Sequence, residues 1–176
     1  MPDHAPYRPA VLGIDPGPEE SAYAVWDGVR IADKGKVDNT EMIDMLGRQT
    51  LTFRFGPGPR RIVHVTRIAV EMVCSFGMPV GADVFETVFW IGRFCQRTNL
   101  PHTRVLRRDI KMHICNSSRA NDSNIKHALV ERFAPGKPNF GKGTKKKPGF
   151  FHGVAADMWQ AFAACVVWWD QSQNRT

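Results

Sequence analysis

VLGIDPG, Val11 to Gly17, carries three apolar residues (Val11, Leu12 and Ile14) into one acid and then into proline and glycine. A short apolar run broken at Asp15-Pro16-Gly17 reads as a buried strand ending in a tight turn, with a single carboxylate at the strand end. Proline withholds a ladder donor and Gly17 admits a positive φ, so the chain turns there and the acid stays accessible at the rim of a core. Asp-Pro-Gly is also ordinary turn chemistry. What sets Asp15 apart is the recurrence of an acid of the same kind at Glu71 and again at Asp157.

After that turn, Ser21 to Trp26 reads as a second strand. Asp27-Gly28 is a two-residue hairpin signal leading to a third strand over Val29 to Val37. Asn39 or Thr40 is placed to cap a helix that runs to about Phe53, with Met42, Ile43, Met45 and Leu46 on its apolar side. Gly56-Pro57-Gly58-Pro59 loops back into a strand within Arg60 to Val73, whose second half, Ile68-Ala69-Val70-Glu71, is another apolar run closed by one carboxylate. Parallel strands buried on both faces look like this. An acid ending such a strand either serves a site or reaches solvent as the strand emerges; an unpaired buried charge is costly, which favours the site.

Ser75 to Gly81 is a loop, and the helix over Ala82 to Arg97 puts Phe85, Val88, Phe89, Gly92 and Cys95 on one apolar stripe, with Glu86, Arg93 and Arg97 towards the other side. Trp90 is off that stripe and suits either a subunit contact or the covering of a loop. A strand over His102 to Leu106, a short helix from Asp109 and a longer helix over Asp122 to Ala134 follow. Pro135 to Gly149 holds Lys137, Lys142, Lys145, Lys146 and Lys147 among glycines and prolines; it reads as a mobile basic loop that lies against phosphates or is simply solvated. The last helix, Val154 to Asp170, is apolar almost all round. Its strip of Asp157, Ala161, Ala164 and Trp168 lets small residues approach the sheet and sets Asp157 beside the ends of the first and fourth strands.

At 176 residues the chain has the length of one domain, read as residues 10–172 behind a loose tail over 1–9. Hydrophobic residues at 43% and charged residues at 23% exclude wholesale disorder, and the net charge of +7 points to a polyanionic partner, most often nucleic acid. Cys74, Cys95, Cys115 and Cys165 form no CxxC pair and read as reduced core thiols of a cytosolic protein; His113 near Cys115 is the only hint of a metal pair. Met1 to Pro9 is polar and does not read as a signal peptide. Met158 to Trp169 is too short for a membrane span and contains Gln160.

Three converging carboxylates repel one another unless cations neutralise them. Their natural occupants are one or two magnesium or manganese ions, which prefer oxygen donors and, as a pair, favour in-line phosphodiester hydrolysis. Asp15 is then the bridging ligand, with Glu71 and Asp157 on opposite sides. His152, five residues before Asp157, is the candidate water-activating base.

The order of these elements resembles the ribonuclease H-like fold: an α/β fold with a five-stranded mixed sheet, a three-stranded antiparallel meander plus two parallel strands, flanked by helices. Within it the chain is similar to the RuvC family of Holliday-junction resolvases, and more closely to divergent RuvC-like nucleases of phages and prophages. The likeness rests on GIDPG at Gly13 to Gly17, AVE at Ala69 to Glu71, RRDIK at Arg107 to Lys111 and KGTKKKPG at Lys142 to Gly149. It implies a cytoplasmic, homodimeric, magnesium-dependent endonuclease that introduces paired nicks in four-way DNA junctions. By the same resemblance Asp15, Glu71 and Asp157 are metal ligands, Lys111 lies near the DNA backbone, and the subunits pair around the helix carrying Phe89 and Trp90.

Three positions depart from the family pattern. Gln160 follows Asp157 where a fourth carboxylate is usual and offers an amide oxygen instead; Asp122 stands where many relatives carry a second lysine, shifting that role to Lys126 or the lysine loop; Cys74 falls where some relatives carry an aromatic, leaving Phe76 as the substitute. Two other readings keep the fold: a flap, single-strand or RNA/DNA-hybrid nuclease, and a junction-binding protein without catalysis. A nucleotide-binding relative of actin-like ATPases needs two such domains, which 176 residues do not supply.

Overall fold

The computed structural model describes residues 9–54, 62–75, 77 and 79–174. The loose tail expected over residues 1–9 therefore lies outside the described residues except for Pro9, as do the Gly56 to Pro59 loop and Phe76. Strands β1 (Pro9–Asp15), β2 (Glu20–Trp26) and β3 (Ile31–Asp38) form the antiparallel meander, and β5 (Ile62–Met72) adds to the free side of β1 in parallel. The outer edge of β5 is shared. The short β4 (Thr52–Arg54) pairs antiparallel with its start, and β6 (His102–Leu106) pairs parallel with its end.

The sheet thus has six described strands where five were expected. The extra one occupies the tail of the expected first helix: α1 (Asn39–Leu46) stops at Gly47, well short of Phe53. Gly47 is also where the Arg97 guanidinium packs, 2.0 Å from where a Cβ would stand, so glycine at the helix end makes room for its neighbour. Beyond it, Thr52-Phe53-Arg54 has the β-branched and aromatic character that an edge strand favours. Asp38 caps α1, accepting from the Glu41 amide at 2.9 Å, in place of Asn39 or Thr40.

Alternation along β1 and β5 sends Val11 and Ala69 to one face, and Leu12, Ile14, Ile68 and Val70 to the other. The second face is covered by α1 and α2 (Ala82–Arg97). The first is covered by α3 (Arg107–Cys115), α4 (Asp122–Phe133) and α5 (Met158–Gln173), giving an α/β/α stack. Helix α2 presents the face opposite to expectation. Thr87, Ile91 and Phe94 are buried, with Trp90 partly buried beside them, whereas Phe85 is 67% and Phe89 56% exposed. The Ile91–Phe94 side is narrow but is the one that meets β5's apolar residues, so the broader stripe is left facing outward.

Helix α5 begins at Met158, four residues later than expected, because Gly153 and Ala156 take positive φ values of 75° and 41° and hold the preceding segment in turns. Its body is buried from Trp159 to Val167, as its all-round apolar character implies. It lies directly on β1: a Cβ on Gly13 would stand 2.0 Å from the Ala161 carbonyl oxygen and 2.6 Å from Cys165 Sγ. The basic segment before it is folded rather than loose. Gly149 N donates to the Lys142 carbonyl, Phe151 N to Gly141 and Thr144 N to Lys147, closing a small hairpin with the exposed Lys145 and Lys146 at its tip.

Gly13→Ala is expected to lower unfolding stability by about 2–3 kcal/mol through overpacking. Gly92→Ala, on an open helix surface with no atom within 4 Å of its Cβ position, is expected to raise it by about 0.5–1 kcal/mol. Urea unfolding of both variants reads the difference.

Candidate active site

One transverse row of the sheet carries the acids. Lys36 is in register with Ala22, Ala22 with Asp15, and Glu71 with Val105, while the pairing of Ile14 with Val70 brings Asp15 alongside Glu71. Two-residue alternation from Val11 and Ala69 turns Asp15 and Glu71 towards the α5 side. The turn after Asp15 is anchored by the buried Asn39, whose amide donates to the Gly17 carbonyl at 3.0 Å and whose Oδ1 accepts from the buried Ser21 hydroxyl at 2.6 Å. Gly17 is needed there because a Cβ would stand 2.5 Å from the Glu20 carbonyl oxygen.

The N-terminal end of α5 completes the site. Asp157 at its cap position and Gln160 in its first turn line a cleft of about 410 Å³ together with Asp15, Lys36, Arg107 and Asp122. Glu71 is buried, at 2% exposure, and meets the cleft through Arg107. The three acids singled out in the sequence are therefore brought to one end of the sheet. Two cations that the sequence reading missed stand among them. Arg107 Nη1 donates to Glu71 Oε1 at 2.5 Å and Nη2 to Asp122; Lys36 Nζ lies 3.0 Å from Asp157 Oδ2 and 3.5 Å from Glu20 Oε2. For Lys36 the only sequence signal was register, since it sits two strands from Asp15 on the same row, whereas Arg107 opens the RRDIK motif without a role assigned to it.

Burial pushes the Asp15 carboxyl up to about 8, reinforced by the Glu71 carboxylate; Arg107 opposes the rise, and Asp157 and Asp122 add to it. Burial also raises Glu71, by more than the Arg107 guanidinium lowers it. Lys36 is held protonated more firmly by its hydrogen bond to Asp157. Two buried oxygens here, Glu71 Oε2 and Gln160 Oε1, have no hydrogen-bond partner. Among the described residues, no three His, Cys, Asp or Glu side chains are gathered closely enough to hold a metal ion as they stand. Asp157 is engaged by Lys36 and one oxygen of Glu71 by Arg107.

The basic residues flank this cleft unevenly. Lys126 and Lys142 line an adjoining groove of about 440 Å³ that shares Asp122, Asp157 and Gln160 with it, and the Lys126 ammonium sits 3.4 Å from the Phe140 ring centroid, a cation–π contact. Lys111 lines a separate groove of about 570 Å³ beyond Arg107, beside Val73 and the exposed Cys74. Lys137, Lys145, Lys146 and Lys147 are exposed. His152 is exposed, with Nδ1 3.2 Å from the Lys142 carbonyl oxygen, and does not line the cleft. His113 is bonded to Asp170, 2.7 Å away, and that carboxylate also accepts both Arg132 nitrogens, so this histidine serves the contact between α3, α4 and α5. No described helix is long and apolar enough to cross a membrane.

No protein-family model and no curated protein sequence matches the chain. Solved structures do. A Thermus thermophilus RuvC structure matches at a TM-score of 0.60 and 15% identity, over 95% of this chain and 97% of that one. The structure of T. thermophilus RuvC in complex with a Holliday junction substrate matches at 0.60 and 12% identity, over 93% and 94%. At these identities the likeness establishes the fold alone, the mixed α/β architecture of these RuvC structures.

The raised Asp15 pKa has a definite sign. The folded, ion-free protein binds that proton more tightly than the unfolded chain, so the contribution is fully stabilising below about 4 and is lost as pH rises towards about 8. Asp15→Asn is expected to raise the stability of ion-free protein by about 2 kcal/mol or more at pH 8 and to change it little at pH 4, read by denaturant unfolding in EDTA.

Proposed function

We propose that the protein is a divalent-metal-dependent endonuclease that cuts branched DNA, with the four-way junction as substrate and a homodimer as the working form. The observation that carries this reading is the pair of buried, unsatisfied oxygens, Glu71 Oε2 and Gln160 Oε1, at the same end of the sheet as Asp15. A buried acceptor without a donor is costly, and a hard cation is the partner that oxygen atoms of this kind suit. The donor set is all oxygen, which fits magnesium or manganese: Asp15, Glu71 and Asp157 would hold the ions, with the Gln160 amide oxygen as a further ligand. When bound, such ions lower the pKa of water and neutralise charge on a phosphodiester and its leaving oxygen.

The chain's own groups do the rest. Lys126, steadied on Phe140, and Lys142 hold backbone phosphates along the groove that opens from the cleft, with Lys111 on the far side of Arg107. The hairpin lysines Lys145, Lys146 and Lys147 extend the positive surface. The outward Phe85, Val88 and Phe89 of α2 form an apolar patch suited to a second copy of the chain, with Phe89 central and Trp90 supporting it from behind. That a protein of this fold has been solved with a Holliday junction substrate supports the junction as the branched form.

One observation favours a second reading. Lys36 already engages Asp157 and Arg107 already engages Glu71, as they would in a protein that binds junctions without cutting them. A synthetic four-way junction assayed with magnesium and with manganese, beside flap, linear duplex and RNA/DNA hybrid at one salt concentration, decides between them. Symmetric paired nicks confined to the junction are expected. Asp15→Asn is expected to reduce cutting by at least about a hundredfold, and Phe89→Glu to yield monomers that leave single nicks. Tight junction binding without cutting in either metal would establish the second reading, and preferential cutting of flap or hybrid would reassign the substrate.

A further inference from the structure

Arg107 is the first residue of α3, directly after β6, and its guanidinium forks between two carboxylates of unlike character. One is Glu71, buried on the sheet; the other is Asp122, in the first turn of α4, with its side chain 63% exposed. Arg107 uses only one oxygen of Glu71 and leaves the other unpartnered. It satisfies half of a carboxylate that a divalent cation would claim whole.

A cation on Glu71 and a guanidinium on Glu71 exclude each other, because like charges a few ångströms apart in a half-buried site repel strongly. Arg107 has somewhere to go. Asp122 lines both the acidic cleft and the groove of Lys126 and Lys142, so an arginine that gives up Glu71 and keeps Asp122 stands on the shared wall of the two. A bare Asp122 on that wall would repel a phosphate backbone, whereas an Asp122 covered by a guanidinium attracts it. The planar fork matches phosphate as it matches carboxylate.

We infer that Arg107 is a phosphate-binding residue of the cleft that is stored on Glu71 and released to the DNA when a divalent cation takes that carboxylate. The inference rests on the metal-dependent reading above and adds an order of events to it. Arg107 contributes to DNA binding only after the ions are in place, so cation and DNA reinforce each other's binding through one side chain.

The test uses the full chain, manganese chloride by titration calorimetry without DNA, and binding of a synthetic four-way junction in EDTA and in calcium. Arg107→Gln is expected to bind manganese about tenfold more tightly, since the competitor for Glu71 is gone. Its junction affinity is expected to fall about tenfold in calcium, with the salt slope reduced by about one, and to stay near wild type in EDTA. Arg107→Lys keeps the charge without the fork; it is expected to retain wild-type manganese affinity and lose the calcium-dependent gain in junction affinity, and it carries the test if the glutamine variant does not fold. Unchanged or weaker manganese binding by Arg107→Gln, an equal loss of junction affinity in EDTA and calcium, or a lysine variant that keeps the calcium-dependent gain would each overturn the role given to Arg107. Wild-type protein that takes up no manganese would instead refute the metal-dependent reading itself, so the two failures are distinct.

Discussion

Helix α5 rests on strand β1 at a distance that only glycine allows, and the geometry of the acidic cleft follows from that contact. Gly13 leaves the Ala161 carbonyl and the Cys165 thiol room to lie against the strand. Two residues further along β1 is Asp15; one helical turn back along α5 is Asp157, with Gln160 beside it. The small side chain at Ala161 does on the helix what Gly13 does on the strand. A larger residue at either position would lift the helix and separate groups that are far apart along the chain. Glu71 then needs no further device, because parallel pairing of β5 with β1 places it next to Asp15.

Bringing acids together in a half-buried cleft has a cost that the fold offsets only in part. Arg107 and Lys36 engage Glu71, Asp122, Glu20 and Asp157, yet Asp15 has neither a salt bridge nor a hydrogen bond among the described contacts, and its carboxyl is driven up to about 8. Just behind the turn, by contrast, the Ser21–Asn39–Gly17 set is closely hydrogen-bonded. Local rules that hold around a site and fail within it mark a place shaped by something other than stability. On the function proposed above, hard cations would relieve this arrangement with the donors present.

Much of this was legible in the sequence because it depends on local signals. Asp15 follows from an apolar run cut by proline and glycine, Glu71 from a second run closed by one acid, and the close seat of α5 from alanines at helical spacing. The misreadings have equally specific causes. Gly47 was passed over as a helix stop, so β4 was hidden inside a helix. On α2 the richer apolar stripe was the wrong guide, because Ile91 and Phe94 are the residues that meet the sheet while Phe85 and Phe89 remain outside. The start of α5 moved to Met158 because Ala156 adopts a positive φ that no residue preference announces. Lys36 and Arg107 look like ordinary solvated cations along the chain; only strand register and side-chain direction bring them among the acids.

The most direct test is a crystal structure of the protein grown with manganese, with the ions located by their anomalous scattering. The account predicts manganese at the end of β1 and β5, bound by Asp15 and both oxygens or the second oxygen of Glu71, with Asp157 drawn away from Lys36. A cleft that holds no manganese while Asp157 stays on Lys36 and Arg107 stays on Glu71 would contradict it.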